Sequence, residues 1–416
     1  MNRNQANLFF IGFLILLVVI IGAATWINFQ YVSQNRGMNK FTPRWQATRS
    51  FLMQGTNPYS EQATNEIQRT AYGRLAKPDE DPGYFVYPFY SIILYAPFSL
   101  IENHDTAFAL WMTVLEFALA GLIIVSLILV DWRPTIFIIL VLFIYTFLWY
   151  HGLRPLISGN ASVLVAFFAT AALLAIRSNQ DAVGGILLAL SSIKPQMVVV
   201  LYIFIILWSI VKGRWRIIWT FLGSLTFLII AGSLFFPDWL LENVRQIIRY
   251  SEIMFISTPS SILMSWIPGV GKQLGWLLTG LMVAFLLIEW RSSFSKDERW
   301  FVWTALMTLT ASTLIGIYST LENYIMLYPA AMLILATWDK RWGLLGRWLI
   351  FLFLVLTSIG IWLVLLNGVQ RGVQPDLDPI IYFLTPTIIL VGLYWVKWWA
   401  VNPDQLLLQK ISDYLK

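Results

Sequence analysis

The sequence predicts an all-α polytopic membrane protein, and three observations carry that prediction. Of its 416 residues 58% are hydrophobic and only 12% charged, roughly half the charged share of a water-soluble domain. Apolar runs close to the ~20 residues that span the hydrocarbon as a helix recur along the whole chain, among them 8–26, 108–130 and 348–366. Most of the 21 tryptophans fall near the ends of such runs, where an interfacial belt belongs. A helix bonds its own backbone, so apolar runs of this length read as spans.

The same composition excludes several function classes. A net charge of +6 would suggest nucleic acid as the partner of a soluble chain. Here the basic residues sit in short loops between apolar runs, so membrane topology accounts for them and no nucleic-acid partner is expected. With no cysteine and only His104 and His151, neither a disulfide, a thiolate nucleophile nor a metal cage is expected.

In chain order, the run at 8–26 is long, lacks the small-residue exit of a signal peptide and precedes many further runs, so it reads as a retained first helix. Residues 29–105 read as a large first extracytoplasmic loop. It carries two helical pieces, 43–54 and 60–72, on either side of the turn Gly55, Thr56, Asn57, Pro58. An apolar run at 84–101 follows, broken by Pro88 and Pro97; it either spans or re-enters from one side. Charge favours re-entry. In that case Arg133, Arg177, Lys212, Arg214, Arg216, Arg291, Lys296, Arg299, Lys340, Arg341, Arg347 and Lys397 share the face of Arg3, as the positive-inside rule asks.

Spans are then expected at 8–28, 106–130, 134–150, 160–176, 182–193, 196–211, 216–236, 272–290, 298–316, 320–337, 345–367 and 379–396. Residues 1–416 form one domain, a bundle of about 12 transmembrane helices in the cytoplasmic membrane with both termini cytoplasmic. The segment 182–193 is too short to cross alone. It leaves Lys194 and Pro195 at a break, where irregular backbone is tolerable if it lines a cavity. The outer loop 237–271 carries an amphipathic stretch with Trp239, Leu240, Val244, Ile247 and Ile248 on one face, expected to lie flat on the membrane. No inverted repeat relates the two halves, which weighs against common transporter folds.

On this topology the polar residues that orientation alone does not explain gather on the outer face: the first loop, His151, Arg154, Asn160, Lys194, Glu322, Asn323 and Arg371. Lys194 is the foremost, because apolar stretches flank it on both sides and a charge at membrane depth defaults to function; the competing reading is an ammonium snorkelling beside a helix break. Arg154 is either an anion ligand or an ordinary loop cation. Glu322 is either a reactive carboxylate or helix-start polarity favoured by the dipole. Asp81, in the run Asp79, Glu80, Asp81, is either reactive or simply solvated, while Glu116 inside the second span reads as a hydrogen-bonded packing residue. Tyr87 and Pro88 set how the chain enters the bilayer. Cations facing an outer cavity suit a lipid-linked phosphate, and a carboxylate there takes the proton of an attacking hydroxyl. That describes sugar transfer from a polyprenyl-phosphate donor. The same cations also suit a carrier or flippase for an anionic lipid.

Five segments carry a resemblance: Phe41 to Ala47 (FTPRWQA), Gly55 to Tyr59 (GTNPY), Phe85 to Pro88 (FVYP), Gly159 with Asn160 before a span, and Gly185 to Pro195 (GILLALSSIKP). In their order and spacing the chain resembles the GT-C fold membrane glycosyltransferases of family 87, related to polyprenyl-phosphate-mannose-dependent mannosyltransferases. The resemblance implies a GT-C-type bundle and inverting transfer of mannose or another hexose to a glycolipid or glycan outside the cytoplasm. Membrane lipids, the polyprenyl-phosphate sugar and that acceptor are then its partners, and no cofactor is needed. It also implies that basic residues hold the donor phosphate and that an acid of the first outer loop is the general base.

At the position of that acid this chain has Lys40, and a charged lysine cannot accept a proton. Ser158 and Gly159 likewise replace the more usual Gly-Gln pair. The expected catalytic acids are therefore Asp81 or Glu322. The expected substrate-binding residues are Arg44, Trp45, Tyr59, Tyr87, His151, Arg154, Asn160, Lys194 and Asn323. Lys40 also leaves open a catalytically silent homologue that binds the lipid.

Overall fold

A computed structural model describes residues 3–253, 257–370 and 378–402. Every regular element among them is a helix. In order they are α1 (Arg3–Gln34), α2 (Thr42–Gln54), α3 (Glu61–Tyr72), α4 (Ile92–Ser99), α5 (His104–Leu129), α6 (Ile136–Leu148), α7 (Tyr150–Ser158), α8 (Ser162–Arg177) and α9 (Asp181–Ser191). There follow α10 (Val199–Val211), α11 (Trp215–Phe235), α12 (Trp239–Ile253), α13 (Pro259–Trp266), α14 (Gly271–Ser293), α15 (Glu298–Ser312), α16 (Tyr328–Val355), α17 (Ile361–Gln370) and α18 (Pro379–Val401).

Six stretches among the described residues are long and apolar enough to cross a membrane: Phe9–Gln34 within α1, then α5, α11, α14, the 50-residue run Leu321–Gln370, and α18. The pair α6 and α7, bent by 53°, makes a seventh if counted as one span. Phe89–Ser99, α8, α9 and α10 are apolar but shorter. At 1.5 Å per residue the 50-residue run is ~75 Å long, more than twice the hydrocarbon thickness. It breaks at Gly343, whose φ of 53° and ψ of −117° leave the helical region. The break falls between the spans expected at 320–337 and 345–367. The first of those begins as a 3₁₀ turn, Leu321–Leu327, which carries Glu322 and Asn323.

Local signals explain the two short helices of the first polar stretch. Pro43 stands in the first turn of α2, where its missing N–H costs nothing. Ser60 caps α3 by accepting from the Ala63 N–H at 3.2 Å. The apolar run after them forms only a 3₁₀ turn, Phe89–Ser91, and α4. Phe89–Ser99 would reach ~16 Å as an α-helix, about half a membrane.

The chain divides into two compact units. One comprises Met1–Ala118, Pro155–Ala161 and Leu228–Phe255. Its core is aromatic: Phe41 stacks on Phe108 with ring centroids 5.2 Å apart, and Tyr95 lies 4.8 Å from Trp111. Carbonyls near the end of α4 are bonded from α2, by Trp45 Nε1 to Phe98 O at 3.0 Å and by Arg49 Nη1 to Ser99 O at 2.9 Å, since a buried helix end needs partners. In α12 the polar side chains Asn243 and Gln246 are buried, whereas Leu240, Leu241, Val244, Ile247 and Ile248 are exposed. Trp239, expected on that exposed face, is instead 2% exposed. Its indole N–H donates to Ser233 at 3.0 Å and its ring meets Tyr90 edge-on, and burying the ring with its donor satisfied wins over membrane exposure.

The other unit comprises Leu119–Arg154, Ser162–Phe227 and Ile256–Lys416. Here α8 packs against α9, α10 against α15, and α15 and α16 against α18. A charge pair lies inside it: Lys397 of α18 donates to both carboxylate oxygens of Glu289 on α14, at 2.7 and 2.8 Å, with Trp303 beneath the ammonium at 4.6 Å. Charges between apolar helices persist when paired in this way. The outward sides of α6, α14 and α18 are apolar, with Ile136, Phe137, Ile288 and Trp398 among the most exposed residues, a surface that water tolerates poorly and lipid covers.

Candidate functional site

The expected site residues divide between the two units, and each group has its own geometry. In the unit ending at Phe255, the segments around Lys40, Tyr59, Asp81 and Tyr87 come together. Lys40 Nζ lies 3.3 Å from Asp81 Oδ2, and Asp81 Oδ1 accepts from the Gly83 N–H at 2.9 Å. Arg44 donates to the Lys40 carbonyl, and its guanidinium sits 4.0 Å over the Tyr87 ring. The Tyr87 carbonyl accepts from Tyr59 Oη at 2.8 Å and from Asn243 Nδ2 at 3.0 Å. Trp45 packs edge-on against His104, and Asn160 is buried, its N–H bonded to Pro155 O at 2.8 Å.

Two electrostatic effects shape this region. Burial pushes the Tyr59 hydroxyl well above the ordinary phenol range, so it acts as a hydrogen-bond donor. In the loop before Asp81, Arg74 grips Glu80 with two bonds of 2.7 Å. That grip, with the Lys77 N–H, holds the Glu80 carboxyl at about 2.

In the second unit the 3₁₀ turn Leu321–Leu327 is a hub. Lys194, 6% exposed, donates from Nζ to Asn323 Oδ1 at 2.5 Å. Arg154 Nε lies 3.6 Å from Glu322 Oε1. His151, fully buried, bonds the Leu321 carbonyl at 2.8 Å through Nδ1 and Thr385 Oγ1 at 3.0 Å through Nε2. Both its nitrogens thus serve protein partners, and its action here is to hold the hub. Asn323, 3% exposed, is oriented by Lys194, and its Nδ2 has no hydrogen-bond partner. Asn323 lines a small cavity with Gln196, Met197, Ser312, Thr313 and Ser319. A buried donor left unpaired costs free energy, which a ligand or water in that cavity would recover.

The backbone places these groups by close approach. The bend between α6 and α7 brings Gly152 so near Thr146 that a Cβ there would lie 2.0 Å from its carbonyl oxygen; only glycine fits, and the bend turns His151 and Arg154 to the hub. Gly185 of α9 lies against α11, where a Cβ would meet Thr220 Oγ1 at 2.0 Å. Short α9 then ends at Ser191, and Lys194, at φ −132° and ψ 74°, opens the break before Pro195 that the sequence leads one to expect.

The structure thus gathers His151, Arg154, Lys194, Glu322 and Asn323 in one unit, and Arg44, Trp45, Tyr59, Tyr87, Asp81 and Asn160 in the other. Arg371 lies outside the described residues. Sequence reasoning missed Asn243 and the polar rim Gln196, Ser312, Thr313 and Ser319. The signal for Asn243 was its phase with Gln246 on α12, opposite the leucines. For the rim it was a Ser/Thr-rich end to the apolar helix α15.

No curated protein and no solved structure matches the chain. The sequence model of glycosyltransferase family 87 matches residues 85–315, more than half of the chain. The match takes in Tyr87, His151, Arg154, Asn160 and Lys194 and leaves outside it Lys40, Asp81, Glu322 and Asn323. With an all-helical fold and a buried lysine at the break its segment carries, the chain belongs to glycosyltransferase family 87.

Proposed function

We propose that the protein transfers a hexose, mannose in the first instance, from a polyprenyl-phosphate donor to a hydroxyl of a glycolipid or glycan on the extracytoplasmic side of the cytoplasmic membrane. One observation carries this reading: a buried lysine, Lys194, bonded to Asn323, the chain neighbour of Glu322, whose carboxylate lies 3.6 Å from Arg154. An ammonium and an amide N–H₂ are donors that match phosphate oxygens, and an adjacent carboxylate is a proton acceptor.

In the proposed reaction Glu322 accepts the proton of the acceptor hydroxyl, and the hydroxyl oxygen forms the new bond to the anomeric carbon from the face opposite the phosphate. The anomeric carbon–oxygen bond to phosphate breaks, and the phosphate leaves with the electron pair, its developing charge met by Lys194 and the Asn323 amide. Arg154 holds Glu322 in place. The stereochemical outcome is inversion. The reading takes about twelve crossings, the shorter apolar helices adding to the six or seven long ones, with residues 29–105 as the large outer loop. The basic loops then face the cytoplasm with both termini.

A second reading is favoured by the contact between Lys40 and Asp81. Where the family has its acid, the lysine holds a carboxylate 41 residues further on, which makes Asp81 the alternative base. If Asp81 is only a counter-ion, a silent lipid-binding homologue follows. The test is transfer of labelled mannose from polyprenyl-phosphate mannose to a membrane-lipid extract by protein in lipid nanodiscs. Glu322→Gln is expected to lower kcat by roughly 10²–10⁴-fold and Asp81→Asn by less than ten-fold. The reverse order moves the base to Asp81. Donor binding without transfer in the wild type would sink the enzyme reading.

A further inference from the structure

A cavity of about 580 Å³ opens in the unit ending at Phe255, lined by the end of α1, the end of α3 and the turn into α5. Small-molecule sites run from roughly 300 to 1,000 Å³. Its wall is held by a chain of bonds: Arg36 Nη2 pairs with Asp105 Oδ2 at 3.0 Å, and His104 bridges Asp105 Oδ1 at 3.2 Å and Thr42 Oγ1 at 2.9 Å. At the rim Gly73, at φ 72°, closes α3 with its N–H on the Arg69 carbonyl at 2.9 Å, a left-handed cap that glycine takes without strain. Several lining groups stay available to a ligand. Among the described residues the exposed side chains of Arg69 and Glu102 make no hydrogen bond or ion pair. Asn103 caps α5 with Oδ1, which accepts from the Thr106 N–H at 2.9 Å, and its N–H₂ is left over. Asn35 spends its N–H₂ on the Tyr31 carbonyl at 2.8 Å and keeps its oxygen.

The lining selects the ligand by chemistry. Two cations, Arg36 and Arg69, stand against two carboxylates, Glu102 and Asp105, so no excess charge favours an ion. Val32 and Ala71 are its aliphatic side chains, too small a wall to shelter an acyl chain from water. What remains is a guanidinium and an amide that donate, a carboxylate and an amide oxygen that accept, and the Tyr72 ring. Hydroxyl groups, each both donor and acceptor, match such a mixture, and an aromatic ring offers an apolar face to the C–H side of a sugar. The geometry points to a subsite for a neutral oligosaccharide. It abuts the Lys40–Asp81 pair, since Tyr72 Oη donates to the Asp81 carbonyl at 3.1 Å and Asn39, which also lines the cavity, directly precedes Lys40. The oligosaccharide is the glycan part of the acceptor; that assignment rests on the transferase reading above, whereas carbohydrate binding itself does not. None of the lining side chains belongs to the Lys194 hub.

The test is titration of mannotriose, maltotriose and inorganic phosphate onto the full chain in lipid nanodiscs, with binding read by saturation-transfer difference NMR and Tm as the check of folding. At least one trisaccharide is expected to bind saturably and to resist phosphate at equal concentration. Arg69→Ala should weaken it about ten-fold, the loss of one hydrogen bond from a charged donor. Asn103→Ser keeps an oxygen to cap α5 and should weaken it about three-fold, the loss of a neutral one. Asn65→Ala, exposed on α3 and outside the cavity, should change nothing. In the transfer assay the acceptor KM should rise by the same factors, with kcat and donor KM unchanged. No binding of either trisaccharide, wild-type binding in both cavity variants, an equal loss in Asn65→Ala, or displacement by phosphate would overturn the subsite. Because binding is read without turnover, a wild type that transfers nothing yet loses trisaccharide in Arg69→Ala would sink the transferase and keep the carbohydrate site. A wild type that transfers with acceptor KM unmoved in both variants would remove the acceptor from the cavity and keep the transferase.

Discussion

Replacing Lys194 by methionine tests the proposed donor site most directly, because it keeps the length and apolar stem of the side chain and removes only the charge. Lys194 is 6% exposed and its ammonium is bonded to Asn323 Oδ1 at 2.5 Å. A hydrogen bond to a charged group is worth about 1.5–3 kcal/mol. If Lys194 also meets the leaving phosphate, losing that contact raises the barrier by the same amount, roughly 10- to 150-fold in kcat/KM. The folded state changes less, since loss of the lysine removes a buried charge while leaving the Asn323 oxygen unpaired, a cost of about 1–3 kcal/mol. Arginine should not restore activity, because its planar fork cannot take the place of an ammonium against one amide oxygen. The assay is mannose transfer in nanodiscs at varied donor concentration, with Tm measured in parallel. A folded Lys194→Met protein transferring at the wild-type rate would refute the reasoning. Loss of kcat with donor binding unchanged would confine Lys194 to stabilising the leaving phosphate and remove it from holding the donor.

Two further outcomes follow from the ion pairs. Glu289→Leu strands the Lys397 ammonium among Trp300, Trp303 and Tyr394 and should cost about 3–5 kcal/mol, most of which Glu289→Leu/Lys397→Met regains; thermal unfolding in detergent checks both, and an undamaged single variant would show the pair to be idle. Glu80 has its carboxyl depressed from 4.5 to about 2 by Arg74 and the Lys77 N–H, so its contribution is complete above pH 4.5 and fades as pH falls towards 2. Hydrogen exchange in 74–83, normalised to the intrinsic rate, should therefore rise over that window in the wild type and be already raised at neutral pH in Glu80→Gln; identical profiles would refute it.

Much of the helical framework was legible because its signals are local. The pieces expected at 43–54 and 60–72 appear as Thr42–Gln54 and Glu61–Tyr72, placed by Pro43 and the Ser60 cap. The short segment 182–193 appears as Asp181–Ser191, ended at Lys194 and Pro195. The expected count of spans was less legible, because a helix of 11 to 16 residues reads as a span by composition while its length does not decide how it lies in the bilayer.

Sequence by itself determined that the chain is helical and apolar, with a lysine at a helix break, since apolar run length, caps and prolines act within a few residues. Tertiary structure alone decided that Lys194 meets Asn323, 129 residues away, that Lys40 meets Asp81, and that Trp239 turns inward. Pairings of that kind depend on how helices pack, and packing is fixed by shape and by the need to satisfy buried charges, neither of which has a period that a linear sequence displays.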